Sequence, residues 1–468
     1  MLVIVSDLHL TDGSTGMRMP VGAFRLFRQR LEDMAYDASK RDETTYKPIE
    51  EFDLLLLGDV FDLLRTTQWN NELNGAPGYA RPWDKLPNPN FVKKVGAIVD
   101  GVITQNADSL QVLHDLAMGT SISLPPATKT GQVNRQVSRD RRSKSRLPLK
   151  VNIHYMCGNH DWIFHLPGAE FNLIRQKVID AMGLSNSPLP FPYTPEESDR
   201  ISAILSQHRV FARHGDFFDP SNFTEKRGRE YASIGDAMCV EIFNPFRKSI
   251  QDLLGDKLPA GLYKDLDEMG SIRPSVMTPV WVATVLERHQ VAAKFRGDIN
   301  EIWKGLVEKF LDLEFLKELD ESLFGTVDAL RFLLGLLAKI SLDKLDDLAP
   351  LAERLVGLHS AFSGGGEMGF DKNALKEDAY KSGEAKFIVY GHTHGFKVLP
   401  LRTLWKNGKA FDQVYINSGT WHPIHEAGKG EDSRHSFFTY KTMSFLSFYL
   451  ENERKGRAFE TWMGMMHI

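Results

Sequence analysis

Five short apolar runs in this chain each break off into Asp, Asn, His and Gly. They are "MLVIVSDLHL" from residue 1, "FDLLLLGDVFD" from 52, "VNIHYMCGNHDW" from 151, "RVFARHGDFFD" from 209 and "KFIVYGHTHG" from 386. A sixth, "QVYINSGTWH" from 413, has the same shape. Short apolar runs bounded by such residues read as buried strands. Helical sequences separate the first of them, such as "AFRLFRQRLEDMAYDAS" from 23 and "FVKKVGAIVDGVITQNADSLQVLHDLAMG" from 91. Strand, helix, strand predicts an α/β core. In open α/β sheets ligands bind beyond the carboxyl ends of the strands, so strand ends of this composition can converge on one cleft.

After residue 434, "HSFFTYKTMSFLSFYL" and "RAFETWMG" are joined across "ENERKG". They read as antiparallel strands, which predicts one mixed sheet or two sheets. Residues 221–384 differ: "EIWKGLVEKFLDLEFLKEL" from 301 and the stretch 327–358 have helical periodicity, and "SGGGEMG" at 363–369 reads as a flexible joint. The expected organisation is a core in two parts, 1–220 and 385–468, with a largely helical insertion over 221–384.

The longest apolar stretch, 327–342, is interrupted by Asp328, Arg331 and Lys339 and falls short of a membrane span. No secretory signal is visible, because "LVIV" is followed at once by Ser6 and Asp7. The two cysteines, Cys157 and Cys239, make no C-x-x-C pair, so neither a disulfide framework nor a thiolate zinc site is indicated. A cytoplasmic, reducing setting is expected. The net charge of -4 gives no whole-chain attraction to nucleic acid or anionic membrane. Residues 129–150 are a local exception, with eight Lys or Arg against one Asp.

The chemistry lies in the strand-end residues: Asp7 and His9, Asp59 and Asp62, Asn159, His160 and Asp161, His214 and Asp216, and His392 and His394. In an extended segment residues i and i+2 share a side, so His392 and His394 can reach one site or two adjacent sites. Together these stretches resemble the calcineurin-like metallophosphoesterase family, whose signature is D-x-H, G-D-x-x-D, G-N-H-D/E, H and G-H-x-H. The resemblance covers the two core parts and implies a four-layer α/β/β/α metallophosphoesterase sandwich around two metal ions. It implies one ion held by Asp7, His9, Asp59 and His394, and a second held by Asp59, Asn159, His214 and His392. His160 would then be the proton donor to the leaving group and Asp62 the carboxylate that orients it. Asp161 and Asp216 are expected in supporting roles, and His154, His165 and His422 as structural histidines, with His422 at the cleft.

Four imidazoles disfavour Mg²⁺ or Ca²⁺ and favour Mn²⁺, with Fe or Zn²⁺ as alternatives. Two such ions, two carboxylates and a hydroxide between the ions leave roughly one positive charge to attract a phosphate anion. The expected function is a dinuclear metal-dependent phosphoesterase acting on a phosphodiester. One alternative is a pyrophosphatase of a nucleotide or nucleotide-linked lipid, in the manner of UDP-diacylglucosamine pyrophosphatases; His160 stands where those commonly carry Arg. Others are a nuclease using the 129–150 run and a catalytically silent binding protein of the same fold. The expected partner is a phosphorylated substrate, small, nucleotide or lipid-linked, with nucleic acid open but not favoured.

Overall fold

The computed structural model describes residues 1–465 except 224, 226, 321–368, 407 and 430–434. The first strand, β1 (Leu2–Val5), is buried throughout, and its side chains alternate between two cores as the pleat requires. Val3 and Val5 meet Phe24, Phe27 and Leu31 of the helix Val21–Ala38. Leu2 and Ile4 point the other way, into a cluster with Phe387, Val389, Val414 and Ile416 of a second sheet. A strand covered on both faces has no polar positions, which is why the sequence shows a continuous apolar run.

Beside β1 lie β2 (Glu51–Leu57) and then β5 (Lys150–Met156), all parallel, with Leu2 opposite Asp53 and Glu51 opposite Lys150. A two-residue hairpin, β3 (Ser123–Leu124) with β4 (Leu147–Pro148), precedes β5. The second sheet has β6 (Val210–Ala212), β8 (Phe387–Tyr390) and β10 (Lys409–Asn417) parallel, and β9 (Lys397–Lys406) antiparallel at the edge. The first sheet is completed by β11 (Pro423–Lys429), the long β12 (His435–Phe448) and β13 (Phe459–Met465), antiparallel as expected, and by β7 (Ile272–Arg273). The chain is mixed α/β with two mixed sheets, and helical residues Phe370 and Ala374 pack with Ile388, Tyr390 and Tyr415 of the second.

Two expectations are refined. The helical sequence from 91 forms two helices, Pro89–Gln105 and Ala107–Ala117, broken at Asn106. Its side-chain amide donates to the carbonyls of Thr11 and Val102, a local alternative that competes with helix continuation. The described part of 221–384 is mainly helical, but β7 pairs in parallel with β11 and extends the first sheet. Apolar residues Ile234, Phe246, Ile250 and Trp303 of this part belong to the same cluster as β1. The apolar stretch 327–342 and residues 363–368 of the glycine-rich joint lie outside the described residues. Among the described residues no helix is long and apolar enough to cross a membrane.

Candidate metal centre

The two sheets present their strand ends to each other. Past β1 and β2 the loops run on together: Asp7 N–H donates to Gly58 O at 3.1 Å and His9 N–H to Asp59 O at 2.9 Å. Past β8, Gly391 N–H donates to His214 O, and past β10, Ser418 N–H donates to Tyr390 O. Five residues here have left-handed backbones: Asp7 (φ 54), His9 (φ 41), Asp59 (φ 53), His392 (φ 67) and His394 (φ 64). Such a conformation costs energy for a non-glycine residue, and its concentration at one place marks a functional site. It also turns each side chain out of the strand alternation that the sequence reading assumed for His392 and His394.

The two histidines separate. His394 joins Asp7 and His9, while His392 joins Asp59 and His214; within each trio the possible ligand atoms lie within 4.8 Å of one another. Asp59 stands between the trios, its Oδ2 3.1 Å from His214 Nε2 and 3.7 Å from His9 Nε2. The Asn159 Oδ1 atom lies 2.9 Å from His392 Nδ1. All seven residues expected as ligands therefore face one region.

Room for the cluster comes from glycine. A Cβ on Gly158 would sit 2.3 Å from Asp59 Oδ1, and one on Gly58 (φ +82) would sit 2.6 Å from His214 Nδ1. Neither position can carry a side chain without displacing a donor.

The donors fit a cation. His214 is fully buried, its Nδ1 against Leu57 O at 2.9 Å, and its Nε2 has no hydrogen-bond partner of good geometry. His9 Nε2 and His394 Nε2 face each other at 3.0 Å. Burial raises the pKa of Asp7, with the nearby Asp59 charge adding to it. Burial works the same way on Asp59, but the His214 and His160 charges prevail and its pKa is lowered. Imidazole nitrogens and buried carboxylates in this number form groupings that can hold a metal ion.

Beside the trios runs a chain of hydrogen bonds. The Asp62 carboxylate is fully buried, with Oδ1 2.8 Å from His160 Nδ1 and Oδ2 2.9 Å from His9 Nδ1. Arg65 N–H also donates to its Oδ1, across residues that form no helix. One carboxylate thus orients both an expected ligand and the expected proton donor. Burial alone would lower the pKa of His160, but the Asp62 and Asp59 charges raise it to about 9. Burial also works on His394, and with the positive charge of Arg273 it holds the pKa well below the usual imidazole value.

The remaining residues singled out in the sequence have these partners. Asp161 accepts from Gly158 N–H, Val60 N–H and the Tyr155 hydroxyl, at 2.6, 2.9 and 2.7 Å. Asp216 is paired with the buried Arg229. His154 meets Asp53, and His165 meets Phe191 O. His422 Nε2 lies 2.8 Å from Leu8 O while the ring lines the cavity. Thr420 donates its hydroxyl to Asp7 O at 2.7 Å.

Sequence reasoning missed three residues. Asp219 Oδ2 lies 3.0 Å from His392 Nε2; its signal was present, because Asp219 follows Asp216 at the spacing by which Asp62 follows Asp59. Arg273, on β7, places Nη2 2.7 Å from His394 Nδ1, and nothing in its neighbourhood distinguishes it in sequence. Arg65 lines the same cavity. That cavity, of about 190 Å³, is lined by the core residues His9, Asp59, Asn159 and His160 and by Met238, Phe243 and Ser271 of the 221–384 part. No family model, curated protein or solved structure matches the chain.

Proposed function

We propose that the protein is a dinuclear metal-dependent phosphoesterase of the calcineurin-like type, acting on a phosphodiester in preference to a monoester. One observation carries the reading: two donor trios meet at Asp59 in a cavity whose wall also holds the His160–Asp62 pair. Two facing sheets with helices against their outer sides support the α/β/β/α sandwich implied by the sequence resemblance. Asp7, His9, Asp59 and His394 would hold one ion, and Asp59, Asn159, His214 and His392 the other, with Mn²⁺ the first choice. A bound pair of this kind supplies charge to bind the phosphoryl group and activates water for in-line attack.

The chain's own groups supply the rest. Asp62 fixes His160 through Nδ1, so the transferable proton sits on Nε2. In the metal-free protein, against the effect of burial, the Asp62 and Asp59 charges raise the pKa of His160 to about 9, which favours the protonated imidazole that can donate to a departing alkoxide. Hydrolysis of a chromogenic phosphodiester and the matching monoester by Mn²⁺-loaded protein tests the reading. Diester turnover above that of monoester is expected. Turnover of neither substrate with both ions bound would overturn the proposal.

A further inference from the structure

The cavity has a second chemical half, contributed in part by the segment 267–273. Arg65 comes from the loop after β2. Its Nη2 donates to Asp267 O at 3.3 Å, and a Cβ on Gly270 would fall within 1.9 Å of its Nη1. Arg273 comes from β7 and donates through Nη1 to Gly270 O at 3.1 Å and Ile272 O at 2.9 Å. Both guanidinium groups therefore lie against the segment around Gly270, and both line the cavity that His9, Asp59, His392 and His394 also line. No carboxylate lies within ion-pairing distance of Arg65 among the described residues, and its Nε is buried without a hydrogen-bond partner.

The hydrogen bonds fix which ring nitrogens carry hydrogen. A guanidinium only donates, so His394 Nδ1 accepts from Arg273 Nη2 and the His394 hydrogen sits on Nε2. That hydrogen faces His9 Nε2, which can accept because His9 Nδ1–H is directed at Asp62. The chain Arg273, His394, His9, Asp62 is thus complete in the metal-free protein. His394 Nε2 and His9 Nε2 are the atoms that would face a bound cation. Arg273 is anchored through Nη1 to two backbone carbonyls and lines the same cavity.

We infer that Arg273 is a substrate-binding residue, and that with Arg65 it holds the phosphoryl anion in the cavity that the candidate metal ligands also line. This rests on the phosphoesterase reading for the location of the phosphoryl group. It assigns the segment around β7 a direct part in recognition. A planar fork of donors suits this task, since it can hold two oxygens of one phosphoryl group. An anion held between these cations and the ions is one with at least two free oxygens.

The test is calorimetric binding of inorganic phosphate to Mn²⁺-loaded protein, together with the Mn²⁺ affinity and stoichiometry, which need no turnover. Arg273→Met should weaken phosphate binding roughly tenfold or more, the effect of losing a charge-assisted hydrogen bond, while Mn²⁺ affinity stays equal or tightens. Arg273→Lys should recover part of the phosphate affinity, because it restores charge without the fork. Arg65→Met should weaken phosphate binding in the same direction. Phosphate affinity within twofold of wild type in Arg273→Met, or a fall in Mn²⁺ affinity in step with it, would overturn the inference. A protein that binds phosphate through Arg273 yet hydrolyses no ester would instead sink the phosphoesterase reading alone.

Discussion

The two walls of the cavity are built differently. The core wall hangs on strand ends that are locked to one another by backbone hydrogen bonds between neighbouring loops, as at Asp7 with Gly58 and His9 with Asp59. Its donors sit on left-handed backbones with glycines filling the gaps. The opposite wall comes from residues around 235–275, held to the core by the short β7–β11 pairing and by His425 with Glu268 at 2.8 Å. The candidate metal donors lie on the core wall, whereas of the two arginines that line the cavity Arg65 comes from the core and Arg273 from the insertion. The donors are encoded locally; the arrival of Arg273 depends on where a distant segment lands.

The sharpest way to break this comparison is at Asp59, whose carboxylate lies 3.7 Å from His9 and 3.1 Å from His214, one histidine of each trio. Asp59→Asn keeps the shape but removes a charge and an anionic oxygen, so metal content measured by elemental analysis should fall at both positions and turnover should vanish. Retention of one full equivalent would show that the trios are independent and that Asp59 does not join them.

Next in size is His160. His160→Ala should lower kcat by about 10²–10⁴-fold, the range for loss of a general acid, while metal content stays near that of wild type. A parallel loss of metal would place His160 among the ligands. The same variant exposes a pH signature in the metal-free protein. The folded pKa is raised from 6.5 to about 9, so the stabilising pairing with Asp62 is fully present below 6.5 and is lost as pH rises through 9. The stability advantage of wild type over His160→Ala, from urea melts, should be flat at acid pH and shrink by up to about 3 kcal/mol across that window.

The asymmetry between the walls also explains what could be read in advance. Every core ligand lies within a few residues of an apolar run, so the run predicts the strand and the strand end predicts the position. The pairing of His392 and His394 with different trios was implied by the family resemblance, but spacing alone left it a possibility, because it depends on left-handed backbone angles that the alternation rule does not describe. Asp62 was legible as a partner of His160 but not of His9, since a second hydrogen bond from the same carboxylate leaves no trace in spacing. Arg273 is 121 residues from His394 and reaches it through a two-residue strand inside a helical segment. A two-residue strand has too few positions for any periodic signal, so no local pattern announces it.

A smaller effect separates the two trios. Asp219 lies against the far nitrogen of His392 and holds that ring, as Asp62 holds His9. Asp219→Asn should lower the metal affinity of the His392 position by about 10–100-fold, the usual consequence of removing a carboxylate behind a ligating imidazole. The His394 position should keep its affinity, so titration of the variant should resolve two classes of site where wild type shows sites more nearly alike. Equal weakening at both would mean that the trios communicate through Asp59 more strongly than each is held by its own carboxylate.

The smallest effect is expected at the basic run, where the nuclease alternative would require a large one. Its charges are partly engaged with the helix Val21–Ala38: Arg146 pairs with Glu32 at 2.8 Å, and the exposed Arg141 approaches Asp33 at 3.4 Å. Replacing Arg141, Arg142 and Lys144 together by Gln removes exposed charges only, so stability should change by about 0.5 kcal/mol or less. Hydrolysis of a small chromogenic diester should be unaffected, as should its dependence on salt. If the run served a polymer, the triple variant would instead weaken single-stranded nucleic acid binding steeply and flatten its salt dependence, because each phosphate contact releases a counterion. A flat response in both assays would leave recognition to the cavity, where Arg65 and Arg273 stand beside the ligand trios.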